Sequence, residues 1–189
     1  MFYTLFLSFV ITQRLAELFI ARRNEEWMLR NGAKEYFPDH YKYIVMLHVA
    51  FLVAFVSEVI IFQHSLSPIW PGLIILFIFT QLLRVWAIKS LGRFWNTKII
   101  ILPNAKIVKK GPYKFIRHPN YLIVGLEIIL IPLLFQAYVT AIVFTILNAV
   151  VLSIRIPLEE KALIQETADY NEYSEFKNRF FIKMGKDLE

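Results

Sequence analysis

From residue 108 the chain reads VKKGPYKFIRHPNY, a run dense in groups that bind and orient small polar ligands. Gly111-Pro112 is a turn signal. Pro119 suits the first turn of a helix, because a helix start leaves that N–H unpaired in any case. His118 then falls at the cap, and the free backbone N–H groups that follow attract an anion. Arg117 can grip a carboxylate in bidentate fashion. Tyr113 and Tyr121 can stack on a flat base or hydrogen-bond a ribose. Further on, RIPLEEKAL brings Arg155, Glu159 and Glu160 together, and Pro157 is expected to bend or end its helix there. Carboxylates at that point would accept hydrogen bonds from an amino group or from ribose hydroxyls. Basic and aromatic residues also anchor helices at a membrane border, so on residue chemistry alone a ligand site and an anchor both stand.

A second set of polar residues interrupts apolar runs: Arg14, Glu17, Glu58, Arg84 and Glu127. Ionisable groups inside a bilayer are costly and mark function by default. Glu58 lies near the outer end of its run and is expected to snorkel to water. The other four fall in the inner half; Arg14 sits about 12 Å deep at 1.5 Å per residue. Arg14 and Glu17, spaced i, i+3, can pair on one helix face. Two cations and two carboxylates at similar depth make a neutral network. It either ties helices together or walls a polar cavity open to the cytoplasm. Gln13, Gln81 and Asn148 are able to join it.

The elements that must position these residues are membrane helices. The chain has 189 residues, 57% hydrophobic and 19% charged, with 17 Phe; water-soluble domains are nearer half apolar and a quarter charged. Apolar runs at 2–21, 43–62, 69–88, 121–135 and 138–156 predict five crossings of an all-α polytopic membrane protein. The fourth is short, holds Pro132, and forms with the fifth a tight hairpin turning near Gln136 and Ala137. A cleavable signal peptide fits poorly, because no basic region precedes the first run and Arg14 and Glu17 interrupt it. Lys and Arg cluster between runs one and two (Arg22 to Lys42), between three and four (Lys89 to Arg117), and after run five (Arg155 to Lys186). The connections at 63–68 and 136–137 hold none. With positive loops inside, the N-terminus lies outside and the C-terminus in the cytoplasm. The chain divides into an N-terminal part, 1–107, and a ligand-binding part, 108–189. Its net charge of +6 is parcelled between spans, which argues against nucleic acid. With no Cys and four scattered His, no metal site is expected. No internal repeat favours an inverted-repeat transporter.

GPYKFIRHPNY, a hydrophobic hairpin, RIPLEEKAL and a tail with Tyr170 and Tyr173 together resemble the isoprenylcysteine carboxyl methyltransferase family, over residues 108–180. The resemblance implies S-adenosyl-L-methionine as cofactor, held on the cytoplasmic side between the two motifs. By position it carries cofactor-binding roles to Gly111, Tyr113, Arg117, His118, Pro119 and Tyr121, and to Arg155, Glu159, Glu160 and Leu163. RHPxY alone is also similar to a motif of NADPH-dependent membrane sterol reductases. A reductase is therefore the competing enzyme reading, and a scaffold or transporter the non-enzymatic one. Where eukaryotic members usually have Gly soon after RHPxY, this chain has Leu122-Ile123-Val124 before Gly125, and Glu127 stands where they tend to carry an aromatic residue. QRLAELFIARRN, Glu127 and Asn148 look more like a bacterial branch similar to enzymes that O-methylate alkylpyrones or alkylresorcinols. The expectation is an O-methyltransferase of a bacterial cell membrane, acting on a lipophilic acceptor among membrane lipids, with a polyketide synthase as a pathway neighbour. Glu127 would act as base or orient the substrate, and Arg84 or Arg14 would hold an anionic acceptor.

Overall fold

The computed structural model describes residues 2–167 and 169–180. Lys183 and Lys186 lie outside the described residues. The element order is α1 (Phe2–Arg30), β1 (Lys34–Tyr36), α2 (Pro38–Ile61), α3 (Trp70–Leu91), β2 (Ile99–Ile101), α4 (Pro119–Leu134), α5 (Tyr138–Glu166) and α6 (Tyr170–Phe176). The five expected runs map in order onto α1 to α5. α1, α2, α3 and α5 are each long and apolar enough to cross a membrane. α4 is apolar but has only 16 residues, about 24 Å of helix.

Large apolar side chains on the outsides of these helices, such as Leu15, Phe19, Ile75, Phe79 and Ile146, stay exposed, as lipid contact requires. The interior is aromatic toward the outer end. Phe135, in the turn after α4, reaches Tyr3 edge-on at 5.1 Å, Phe6 at 5.5 Å and Phe55 at 5.8 Å. One side chain from the α4–α5 turn thus packs between α1 and α2. Gln136 adopts a left-handed conformation with φ 58°, and its amide donates to the Ser65 carbonyl at 3.2 Å and hydroxyl at 3.0 Å. The expected turn at Gln136 and Ala137 is therefore present and is tied to the α2–α3 connection.

Two expectations are corrected. Glu58 does not snorkel to water; it is only 8% exposed. Its carboxylate accepts the backbone N–H groups of Val139 at 3.0 Å and Thr140 at 2.7 Å, and the Thr140 hydroxyl at 2.6 Å. The first N–H groups of a helix have no partner of their own, and a carboxylate at the positive end of the helix dipole satisfies them. Nor does Pro157 end the fifth helix, which runs on to Glu166. The part of α5 beyond Pro157 is held by packing: Leu158, Ala162 and Leu163 lie against Ile99 and Ile101 of β2.

The strands themselves went unread in the sequence. α1 stops at Gly32 (φ 89°), where Ala33 N–H bonds back to the Met28 carbonyl at 3.0 Å; glycine is the residue that adopts this helix-ending conformation without penalty. The chain then pairs antiparallel with β2, Lys34 opposite Ile101 and Tyr36 opposite Ile99. This small two-stranded sheet joins the α1–α2 and α3–α4 connections. The all-α fold class stands, with this pair as its one sheet among the described residues.

Glu58→Ala should lower the thermal midpoint measured in detergent, because unsatisfied buried N–H groups cost roughly 1–3 kcal/mol. Glu58→Gln, which keeps one carbonyl acceptor, should recover part of the loss.

Candidate functional site

α4 begins where the sequence places it. His118 is the N-cap residue and Pro119 opens the helix. The His118 side chain caps no backbone group and turns instead to α5, where Nε2 lies 3.1 Å from Glu160 Oε1. Arg117 Nη1 reaches the same oxygen at 2.9 Å. Arg179, from the chain after α6, donates to Glu160 through Nε at 3.1 Å and Nη2 at 2.5 Å. Two guanidinium groups and an imidazole thus converge on one carboxylate, leaving positive charge in excess.

A second link runs beside it. The Tyr121 hydroxyl donates to Glu159, and Arg155 Nε donates to that hydroxyl at 3.1 Å. Arg155 Nη2 is anchored on the Thr97 carbonyl at 3.0 Å. The RHPNY and RIPLEE segments therefore meet through two separate contacts at the open end of the α4–α5 hairpin, opposite its turn. Arg117, His118, Tyr121, Arg155, Glu159 and Glu160 are brought together as the sequence predicts.

The other four predicted residues are placed differently. Gly111 (φ 57°) lies against α3; a Cβ there would fall 1.9 Å from Ser90 Oγ and 3.0 Å from Trp86 Nε1. Tyr113 packs with Ala87 of α3 and Ile123 of α4. Leu163 faces the β2 cluster, and Pro119 is buried at the helix start.

The sequence missed the part played by the tail. The Asn178 and Arg179 carbonyls accept the backbone N–H groups of Arg117 at 3.0 Å and His118 at 3.2 Å. Tyr173 donates its hydroxyl to the Tyr113 carbonyl at 2.6 Å, and burial pushes that hydroxyl up to about 12, so it remains a donor throughout the neutral range. Burial likewise raises Tyr170 above the usual tyrosine range. Arg179 stands in a short polar stretch with no periodicity to mark it.

Two buried polar atoms around this junction, Arg117 Nε and Asn120 Oδ1, have no hydrogen-bond partner among the described residues, and the Tyr170 hydroxyl interacts with the Arg117 side chain. Such atoms are rare in a folded interior and call for a ligand or water. They include donor and acceptor capacity, and they sit next to carboxylates and guanidinium groups. The junction can therefore bind a compact ligand carrying both an anion and a cation.

Deeper in the membrane the four inner-half charges form one cluster. One Glu127 oxygen accepts Arg84 Nε at 3.0 Å and Gln81 Nε2 at 2.8 Å. The other accepts both Arg84 Nη2 and Arg14 Nη2. Glu17 takes Arg14 Nη1 at 2.8 Å, Arg84 Nη1 at 3.1 Å and Gln13 Nε2 at 2.9 Å. Gln13 and Gln81 are joined at 2.5 Å. Glu127 and Arg84 are each 2% exposed. Asn148 does not join the cluster. Glu127 is six residues beyond Tyr121 on α4, about 9 Å further into the membrane.

The profile of the isoprenylcysteine carboxyl methyltransferase (ICMT) family matches residues 73–165. The match starts in α3 and ends near the end of α5, so it takes in both junction segments and Arg84 and Glu127. Two bacterial proteins are similar over most of their length. The uncharacterized protein YpbQ of Bacillus subtilis (strain 168) is 47% identical over 159 residues, 84% of this chain and 95% of that protein. An uncharacterized protein of Haemophilus influenzae is 33% identical over 158 residues, 82% of this chain and 90% of its own. The chain belongs to the isoprenylcysteine carboxyl methyltransferase family. It is an integral membrane protein of a methyltransferase family, and the resemblance read over 108–180 extends back into α3.

For this ICMT-family protein, the Gly111 geometry makes a sharp expectation. Gly111→Ala places a Cβ inside Ser90 and forces an alanine into a left-handed backbone, which alone costs roughly 1–2 kcal/mol. The thermal midpoint should fall, and Ser90→Gly in the same chain should restore part of it. A purely ligand-contacting role for Gly111 predicts no such rescue.

Proposed function

We propose that this protein is an S-adenosyl-L-methionine-dependent O-methyltransferase acting on a lipophilic acceptor at the cytoplasmic face of a bacterial cell membrane. The acceptor class is an alkylpyrone- or alkylresorcinol-like polyketide or an isoprenylcysteine-type carboxylate. The observation that carries the reading is the junction of RHPNY with RIPLEE, together with the open hydrogen-bonding capacity of Arg117 Nε and Asn120 Oδ1 there.

The residues present fit the cofactor. Arg117 and the free first-turn N–H groups of α4 suit its carboxylate. Glu160 and Glu159 suit its ammonium and ribose hydroxyls, and Asn120 has spare hydrogen-bonding capacity beside them. When bound, the cofactor supplies an activated methyl group on a sulfonium. The protein's own task is to align an acceptor oxygen with that methyl and to exclude water. Arg84 and Arg14 lie on the membrane side of the junction, where the polar end of a lipid-anchored acceptor would arrive. Both oxygens of Glu127 are engaged by Arg14, Arg84 and Gln81. That favours an orienting role for Glu127 over a role as base.

The basic segments lie at the same end of the helices as the junction, which supports a cytoplasmic site with the N-terminus outside. An acceptor of polyketide type would place a polyketide synthase as the neighbour that supplies it.

Calorimetric titration with S-adenosylhomocysteine tests the reading. Binding is expected, and Glu160→Gln or Arg117→Met should weaken it about tenfold or more, since a charge-assisted hydrogen bond contributes roughly 1.5–3 kcal/mol. No heat at high micromolar ligand, or displacement of the ligand by NADPH, would overturn it. Methyl transfer unchanged in both Glu127→Gln and Arg84→Ala would remove the cluster from the reaction.

A further inference from the structure

The junction gathers more cationic donors around Glu160 than one carboxylate needs, and they are not held alike. Oε1 accepts Arg117 Nη1 at 2.9 Å, His118 Nε2 at 3.1 Å and Arg179 Nε at 3.1 Å. Oε2 accepts Arg179 Nη2 at 2.5 Å. A carboxylate offers about two lone pairs on each oxygen. Oε1 is therefore full, and a further cation has to approach Oε2. Arg179 stands across that approach. Its planar fork bridges both oxygens, the geometry in which a guanidinium holds a carboxylate most firmly. A second cation brought to Oε2 would lie beside the fork and be repelled by it.

The three side chains differ in how readily they can leave. That of His118 is 4% exposed and that of Arg117 15%, whereas that of Arg179 is 44% exposed. A charge already partly in water loses least when its ion pair opens, because solvent takes over its hydration. The Arg179 backbone, by contrast, is tied down. The Asn178 and Arg179 carbonyls accept the N–H groups of Arg117 and His118, and the buried Tyr173 hydroxyl donates to the Tyr113 carbonyl. The Arg179 side chain can thus let go of Glu160 while the tail stays docked.

We propose that Arg179 is a built-in competitor for the cofactor's ammonium: its guanidinium occupies Glu160, the arriving ammonium takes Oε2, and the guanidinium turns out to water with the tail backbone in place. The inference rests on the S-adenosyl-L-methionine reading of the junction and deepens it by naming a residue that sets how tightly the amino-acid end is held. One cation replaces another at Glu160, so the charge around that carboxylate is unchanged and no covalent bond is altered. S-Adenosylhomocysteine, the product of methyl transfer, carries the same ammonium. Arg179 returning to Glu160 therefore also favours its release.

The first measurement is calorimetric titration of the purified full chain in detergent with two ligands, S-adenosylhomocysteine and its deaminated analogue, in which hydrogen replaces the amino group. Arg179→Gln removes the competing charge and should tighten S-adenosylhomocysteine about fivefold while moving the deaminated analogue less than about twofold, the range expected for one partly exposed ion pair. Arg179→Lys keeps the charge without the fork and should fall between wild type and Arg179→Gln. Unchanged or weaker S-adenosylhomocysteine binding in Arg179→Gln, or equal tightening of both ligands, overturns the proposal. The second measurement uses wild-type protein, so it does not depend on how a variant folds. Phenylglyoxal modifies accessible guanidinium groups, and mass spectrometry of the tail peptide reports Arg179 separately. Saturating S-adenosylhomocysteine should speed modification of Arg179, and the deaminated analogue should not. Protection of Arg179 by S-adenosylhomocysteine would mean that the guanidinium stays and binds the ligand, which also overturns the proposal. Wild-type protein that binds no S-adenosylhomocysteine refutes the methyltransferase reading itself, an outcome distinct from these.

Discussion

A carboxylate persists in the hydrocarbon layer only where its charge is cancelled on the spot, and Glu127 is the residue on which this requirement bears hardest. Two arginines and a glutamine from α1 and α3 close around it, and Glu17 balances the second positive charge. Removing one partner of such a buried set leaves an uncompensated charge, typically at a cost of roughly 3–5 kcal/mol. Membrane helices gain little from apolar contact with one another, because lipid tails are equally apolar. The ion cluster therefore does much to set how α1, α3 and α4 align in depth. Because it fixes α4, it also fixes where Pro119 starts that helix, and hence where Arg117 and His118 stand.

The same constraint works at the outer end by different means. Glu58 satisfies the first N–H groups of α5, Gln136 binds the α2–α3 connection, and Phe135 fills the gap between α1 and α2. The α4–α5 hairpin is pinned at its turn and, through Glu127, at its middle. At its other end it is closed by the tail and by the β1–β2 pair, which supports the extension of α5 that carries Glu159 and Glu160. The junction residues are thus held by three layers of contact, of which only one lies in the motifs themselves.

What the sequence made legible follows the length scale of the signal. Apolar runs and loop charges are local patterns, and they located the helices and the hairpin turn. Both motifs are contiguous, and their meeting could be anticipated from the short turn between α4 and α5. The Arg14–Glu17 pair was legible at i, i+3; its closure with Arg84 and Glu127 followed from depth. Three features escaped. The strand pairing of residues 34–36 with 99–101 is non-local and only three residues long. Arg179 reaches Glu160 because the tail folds back, which no periodicity announces. Glu58 at an outer border looks like a snorkelling residue until the start of α5 is known to lie beside it. Pro157 leaves α5 unbroken for a related reason: the loss of one helix hydrogen bond is outweighed by packing of Ala162 and Leu163 on β2, a partner invisible in the run itself.

In a medium without water, the pattern of satisfied and unsatisfied polar groups carries functional information that residue type alone does not. Glu127 has the type expected of a base, yet every oxygen it offers is taken, and it can act on a substrate only by giving up contacts that keep the cluster neutral. The unpartnered groups in the motifs are Arg117 Nε and Asn120 Oδ1, at the junction of RHPNY with RIPLEE. The bundle thus sets open hydrogen-bonding capacity at the junction beside a closed, neutral ion cluster that braces it.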